Sequence, residues 1–202
     1  MKNLFVTLIA IIFSTILYAQ DFQPFKFGDS SKKIKAEFDS SSTEIGSSYS
    51  GAMGFIMPQK EDETYLFAGI NSRVVYYLLD NKLEGVRFFT VASHNDLKKY
   101  LEDYNMIKEY LSQKYKKIET REFWNNETYK NDSSSLALAV SLGHYSISTT
   151  YKDGTTEIVH ILTSYNSKDR PIYQMIDYSS EKCIKFYKNN QTGGRDILRR
   201  TK

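Results

Sequence analysis

The chain has 202 residues, of which 41% are hydrophobic and 14% aromatic, and its formal net charge is +3. This composition is sufficient for a packed core and excludes an intrinsically disordered chain, which would carry few aromatic residues and a high net charge. Because Cys183 is the only cysteine, an intramolecular disulfide is excluded, and the fold must be held together by packing. The thiol is expected to be buried or inert at the surface, with pairing between two chains as the alternative.

The first 19 residues have the pattern of a cleavable secretory signal. Lys2 makes the start basic, the run from Leu4 to Leu17 is apolar except for three hydroxyl residues, and Ala19 precedes the polar Gln20. A retained membrane anchor is the alternative, but the apolar run is shorter than the roughly 20 residues that span a bilayer. We therefore expect cleavage after residue 19, no transmembrane anchor in the mature chain, and a protein that is periplasmic or secreted.

The region after the signal predicts one short helix and several strands. Asp29 or Ser30 is placed to cap a helix over residues 31–38. The Ser-rich stretch at 39–51 predicts a loop with an edge strand around 47–55, and residues 64–70 predict a strand.

A β-hairpin is predicted over residues 73–79 and 83–91, around Asp80-Asn81-Lys82, because Asp and Asn tolerate the positive φ angles of a two-residue turn. Side chains alternate across a strand, and in this hairpin both faces are apolar. Either the chain's own elements cover both faces, or one face is an exposed surface for a partner. The candidate binding residues are those of the second face: Val75, Tyr77, Val86 and Phe88.

The second part of the chain predicts two helices and four strands. A helix over 94–116 is indicated by apolar residues at steps of three or four and by Ser93 and Asp96 at its start. A strand follows at 118–124, then a short helix over 134–142 that Gly143 ends. Strands are predicted at 145–152, 155–163 and 172–178, with Asp153-Gly154 as the turn between the first two.

These elements predict an α+β fold in which helices cover one or more antiparallel β-sheets. We expect a single domain over residues 20–181, with 20–92 and 93–181 as two pseudo-repeated halves, each a helix followed by strands. Residues 182–202 carry seven basic side chains and one acidic side chain, a net charge of +6, and are expected to form a flexible basic tail. Contact of this tail with an anionic surface is the alternative.

A set of short sequence features is spread over the chain: Phe27-Gly28-Asp29-Ser30, Tyr76, Leu78, Lys82, Leu83, Leu111, Lys114-Tyr115, Trp124, Ala139-Val140, Gly143 and Tyr178-Ser179. In these features and in its layout the chain resembles a group of small exported bacterial α+β proteins of uncharacterised function. Their architecture is similar to that of β-lactamase-inhibitor-like folds and of the small lipoprotein of outer-membrane barrel assembly. The resemblance implies a binding or envelope role and brings no catalytic residues.

The sequence carries no catalytic, metal-binding or cofactor motif. The three histidines, His94, His144 and His160, lack helical metal-site spacing, and the cross-strand register predicts Ile147 opposite His160. No nucleophile elbow or phosphate loop occurs, and the basic residues of the tail are not interleaved with aromatic ones, which argues against nucleic-acid binding. We expect a non-catalytic envelope protein that binds an envelope protein or a small ligand, without cofactor or metal. The alternative is a periplasmic, hydrolase-like enzyme in which a histidine meets a carboxylate or hydroxyl group in a pocket.

Overall fold

The computed structural model describes residues 22, 24–38, 43–48, 53–58, 65–164 and 172–190. The predicted signal at 1–19 and the last part of the predicted tail, 191–202, lie outside these residues. Among the helices of the described ranges, none is long and apolar enough to span a membrane.

The described residues form an α+β fold with one antiparallel sheet of nine strands and four α-helices. The strand order is β1-β2-β4-β5-β9-β8-β7-β6, and β3 pairs with the same edge of β4 that β2 uses. The strand bounds are β1 Thr43–Ser48, β2 Met53–Pro58, β3 Tyr65–Phe67, β4 Ile70–Leu79, β5 Lys82–Thr90, β6 Lys116–Trp124, β7 Tyr145–Asp153, β8 Thr156–Thr163 and β9 Tyr173–Ser179.

The helices are α1 (Ser31–Ala36), α2 (Lys98–Lys114), α3 (Leu136–Ser141) and α4 (Glu181–Asn190), and a 3₁₀ turn at Ser133–Ser135 leads into α3. The side chain of Ser30 caps α1 by accepting a hydrogen bond from the Lys33 amide. The predicted start of α2 at residue 94 is four residues too early, since the helix begins at Lys98, next to an Asp96 side chain that accepts from the Lys98 amide. Gly143 follows α3 with φ +70°, as its predicted role in ending that helix requires.

The two faces of the sheet have separate covers. Helices α1, α2 and α3 pack on one face, which we call the three-helix face, and α4 packs on the other, which we call the α4 face. The main core lies under α1 and α2 and includes Ile34, Ile107, Leu111, Tyr76 and Tyr178. Four side chains of α2 are buried at helical spacing, which confirms the predicted apolar stripe: Tyr100, Tyr104, Ile107 and Leu111.

Three turns place the strands. Asp80 and Asn81 have φ +51° and +60°, so the predicted two-residue turn of the first hairpin is confirmed. The strand predicted at 64–70 is instead a small hairpin, because Ala68 and Gly69 both have positive φ and separate β3 from β4. The turn between β7 and β8 is Gly154-Thr155, one residue later than predicted, so Thr149 rather than Ile147 lies opposite His160.

The structure also corrects the prediction of a flexible tail from residue 182, because helix α4 covers residues 181–190 and buries Cys183. The helix comes close to the sheet at Gly85, where an added Cβ would lie 3.3 Å from the Cys183 sulfur. A Cβ at this position would make a tight contact that the thiol could relieve only by moving a few tenths of an ångström. The buried thiol agrees with one of the expectations for Cys183.

A glycine on edge strand β1 gives the first testable prediction. Phe55 lies opposite Gly46, and a Cβ at Gly46 would be 2.5 Å from its ring. We expect Gly46→Ala to displace the ring and lower the free energy of unfolding by about 1 kcal/mol, as overpacking does. Gly54→Ala is the matched control on β2, because its Cβ would meet Leu78 at an ordinary 3.5 Å. The measurement is the urea midpoint of each variant, and equal midpoints for Gly46→Ala and Gly54→Ala would contradict the prediction.

Candidate functional site

The four residues predicted as one binding surface lie on two different faces. Val75 pairs with Arg87 and Tyr77 with Gly85, which places both on the α4 face. Val86 and Phe88 lie on the three-helix face, where they are 0% and 2% exposed in the main core. The prediction of a single aromatic surface is therefore corrected.

A β-bulge causes the difference. The pairing moves from Leu78–Leu83 to Tyr77–Gly85, so Glu84 is an extra residue on β5 and every later side chain changes face. Glu84 is fixed in the bulge by Ser180, whose amide donates to the Glu84 carbonyl and whose hydroxyl donates to its carboxylate. The contact that holds the bulge thus comes from the segment between β9 and α4.

The α4 face contains a buried ion pair. Arg87 donates to both carboxylate oxygens of Asp177, at 2.5 and 2.8 Å, and the two side chains are 16% and 7% exposed. The rings of Tyr77 and Phe89 lie 5.3 and 5.7 Å from the guanidinium carbon. Burial opposes the charge of Arg87, but the neighbouring Asp177 carboxylate outweighs it and raises the pKa of Arg87 well above its usual value. This pair is internally neutralised, so we assign it a structural role.

A polar cluster lies under α2 on the three-helix face. His160 is fully buried, its ring stacks on Tyr104 at 4.3 Å, and its Nε2 lies 3.1 Å from the side-chain oxygen of Gln174. The Gln174 amide donates to the Tyr100 carbonyl on α2, and the Tyr104 hydroxyl lies 2.9 Å from that of Thr149. Burial lowers the pKa of His160 to about 3, so the imidazole is neutral at physiological pH. The cluster joins α2 to the sheet and has no access to solvent through His160.

The other two histidines lie apart from this cluster. His94 precedes α2 and its Nε2 is 2.6 Å from a carboxylate oxygen of Asp103. His144 stacks on Tyr129 at 5.8 Å, and its Nδ1 is buried without a hydrogen-bond partner in the described part of the chain. Within those same residues, no three His, Cys, Asp or Glu side chains are grouped as a metal site would need.

A cleft of about 470 Å³ lies between the β3–β4 turn and the outer surface of α2. The lining includes two exposed apolar residues, Leu66 at 74% and Met106 at 45%. Because Phe67 packs against α2, alternation along β3 directs the Leu66 side chain to the opposite side of the strand. Among the described residues, the lining consists of Leu66, Ala68, Gly69, Met106, Glu109, Tyr110 and Gln113.

One wall of the cleft is fixed and the other is an exposed helix surface. Tyr110 packs edge-on against Phe67 of β3 at 5.6 Å, and the Lys114 ammonium donates to the Tyr110 hydroxyl at 3.0 Å. At the turn, Ala68 has φ +50°, a conformation that costs a residue with a Cβ about 1–2 kcal/mol. Both central residues of a two-residue hairpin turn need positive φ, so this conformation holds β3 against β4 beside the cleft.

No family model, curated protein or solved structure matches this chain. The resemblance to exported α+β proteins therefore remains a prediction. The function has to be argued from the geometry of the described residues.

Proposed function

We propose that the protein is a non-catalytic binding protein of the bacterial cell envelope, and that it binds a partner protein in the cleft between the β3–β4 turn and α2. The single observation that carries this proposal is that Met106 and Tyr110 of α2 and the β3–β4 turn line one open cleft. Apolar side chains that border a cleft lose unfavourable hydration when a partner covers them. The predicted signal at residues 1–19 supports the assignment to the envelope.

We also infer that the domain consists of two pseudo-repeated halves. Residues 20–92 supply α1 and the adjacent strands β1, β2, β4 and β5, while residues 93–181 supply α2 and the adjacent strands β6 to β9. In each half a helix precedes the strands, and the last strand, β5 or β9, joins the other half. In this proposal the cleft lies where the first half meets the helix of the second.

Position-specific crosslinking tests the binding function. A photoreactive phenylalanine analogue at Met106, in protein exported by the native host, is expected to give a discrete crosslinked product with an envelope protein. The matched control is the same analogue at Ile118 on edge strand β6, because the two native side chains are 45% and 47% exposed. The product should form from position 106 only and should be reduced by Leu66→Glu, which adds a charge to β3 beside the cleft.

Equal products from both positions would indicate nonspecific contact, and the absence of a product at position 106 would also contradict the proposal. Circular dichroism of Leu66→Glu serves as the folding control, since this side chain is exposed and its replacement should leave the fold intact.

A further inference from the structure

We propose that the partner binds as an extended segment that adds a strand to the outer edge of β3, with which no described strand pairs, inserts an apolar side chain into the cleft and places a Lys or Arg beside Glu109. This inference rests on the proposed binding function and specifies the chemistry of the partner. Three observations on the described residues carry it.

The first observation is the direction of the Leu66 backbone. Phe67 and Ile70 flank a two-residue turn and form a hydrogen-bonded pair, so the next pair, Leu66 and Asn71, is a non-hydrogen-bonded one. Accordingly, the Asn71 carbonyl points away from β3 and accepts a hydrogen bond from the Val91 amide. The N–H and C=O of Leu66 therefore face away from β4, and within the described residues no strand pairs with that side of β3. An edge with a free donor and acceptor is the recognition element of strand addition.

The second observation is the position of the cleft beside this edge. Leu66 belongs both to β3 and to the cleft lining, so a strand paired with β3 runs along the opening. Alternate side chains of such a strand point to one side. One of them can therefore enter the space between Met106 and Tyr110.

The third observation is the charge of the lining. Glu109 is exposed and forms no ion pair or hydrogen bond within the described part of the chain, whereas the nearby Lys114 ammonium is bonded to Tyr110. The carboxylate is thus available for a cation of the partner. The opposite edge of the sheet differs from β3, because β6 carries several charged side chains, which discourage strand pairing: Lys116, Lys117, Glu119, Arg121 and Glu122.

A random 12-residue peptide library displayed on phage and selected on the purified protein provides the probe. We expect enriched peptides to contain an apolar residue next to Lys or Arg, and we would measure their affinity by fluorescence anisotropy. Leu66→Pro removes the N–H that points away from β4 and breaks no hydrogen bond between β3 and β4. This variant should weaken peptide binding at least tenfold. Leu66→Ala keeps the N–H and should weaken binding less.

Glu109→Gln should also weaken binding, by up to about fivefold, and abolish the preference for cationic peptides, because the ion pair between the exposed carboxylate and the partner's cation is lost. Glu102→Gln is its control, an exposed carboxylate one turn before Met106 that does not line the cleft. Failure to enrich any peptide over an unrelated protein, or enrichment of acidic peptides, overturns the inference. Peptide binding that tolerates Leu66→Pro would overturn strand addition alone and leave the binding function in place. The absence of a crosslinked product at position 106 would overturn the binding function and strand addition together.

Discussion

Replacing Asp177 with asparagine is expected to lower the free energy of unfolding by about 3–5 kcal/mol, the usual cost of removing one partner of a buried ion pair. The reason is that Arg87 stays charged and buried between two aromatic rings without the carboxylate that compensates it. Asparagine has the same shape as aspartate, so the loss reports the charge rather than a cavity. Urea denaturation at neutral pH measures the effect.

Two controls separate the buried charge from other causes. Asp80→Asn breaks an exposed ion pair with Lys182 and keeps a residue that accepts positive φ, so its unfolding midpoint should match that of the parent. The double variant with leucine at both Arg87 and Asp177 should recover most of the stability lost in Asp177→Asn, because apolar replacements of a buried pair are often neutral. A double variant as unstable as the single one would show that the pair itself is strongly stabilising.

Local sequence patterns were sufficient to predict the α+β class and several of its elements. The apolar stripe of α2, the Asp80-Asn81 turn and the cap of α1 at Ser30 all depend on residues within a few positions of one another. Interactions of that range can be read from sequence. The end of α3 at Gly143 belongs to the same class.

The candidate site could not be predicted in the same way. The face of Val86 and Phe88 depends on the bulge at Glu84, which is fixed by Ser180, a residue almost a hundred positions away. A single added residue reverses the alternation of side chains along a strand. The prediction did not include this extra residue, so it placed two of the four candidates on the wrong face. Helix α4 was missed because its charges suggested a solvated tail, while its burial depends on the space above Gly85.

The cleft was missed for a related reason. Met106 lies outside the buried stripe of α2, and Leu66 belongs to a strand that was predicted to continue through the Ala68-Gly69 turn. An exposed apolar residue on a helix is common and carries no signal by itself. Only the turn that brings β3 beside α2 makes the two residues neighbours of one cleft.

Acidification from pH 8 to pH 5 is expected to cost the wild-type protein about 2 kcal/mol of stability through His160 alone. The pKa of this side chain falls from 6.5 to about 3 on folding because it is fully buried, and the Lys108 charge on α2 adds to the effect while Gln174 opposes it. The unfolded chain therefore binds a proton below pH 6.5 that the native chain does not bind. Stability is complete above pH 6.5 and is lost as the pH falls toward 3.

His160→Gln removes this titration, so the difference between wild type and variant should be larger at pH 8 than at pH 5 by about 2 kcal/mol. The other titrating groups are the same in the two proteins, so their contributions cancel from this difference. Urea unfolding at the two pH values measures the difference, and His144→Gln controls for the loss of any histidine. If the stability difference between wild type and His160→Gln were the same at both pH values, the prediction would be wrong. That result would show that the folded protein binds the proton on His160 at pH 5, and that the stacking on Tyr104 tolerates a charge.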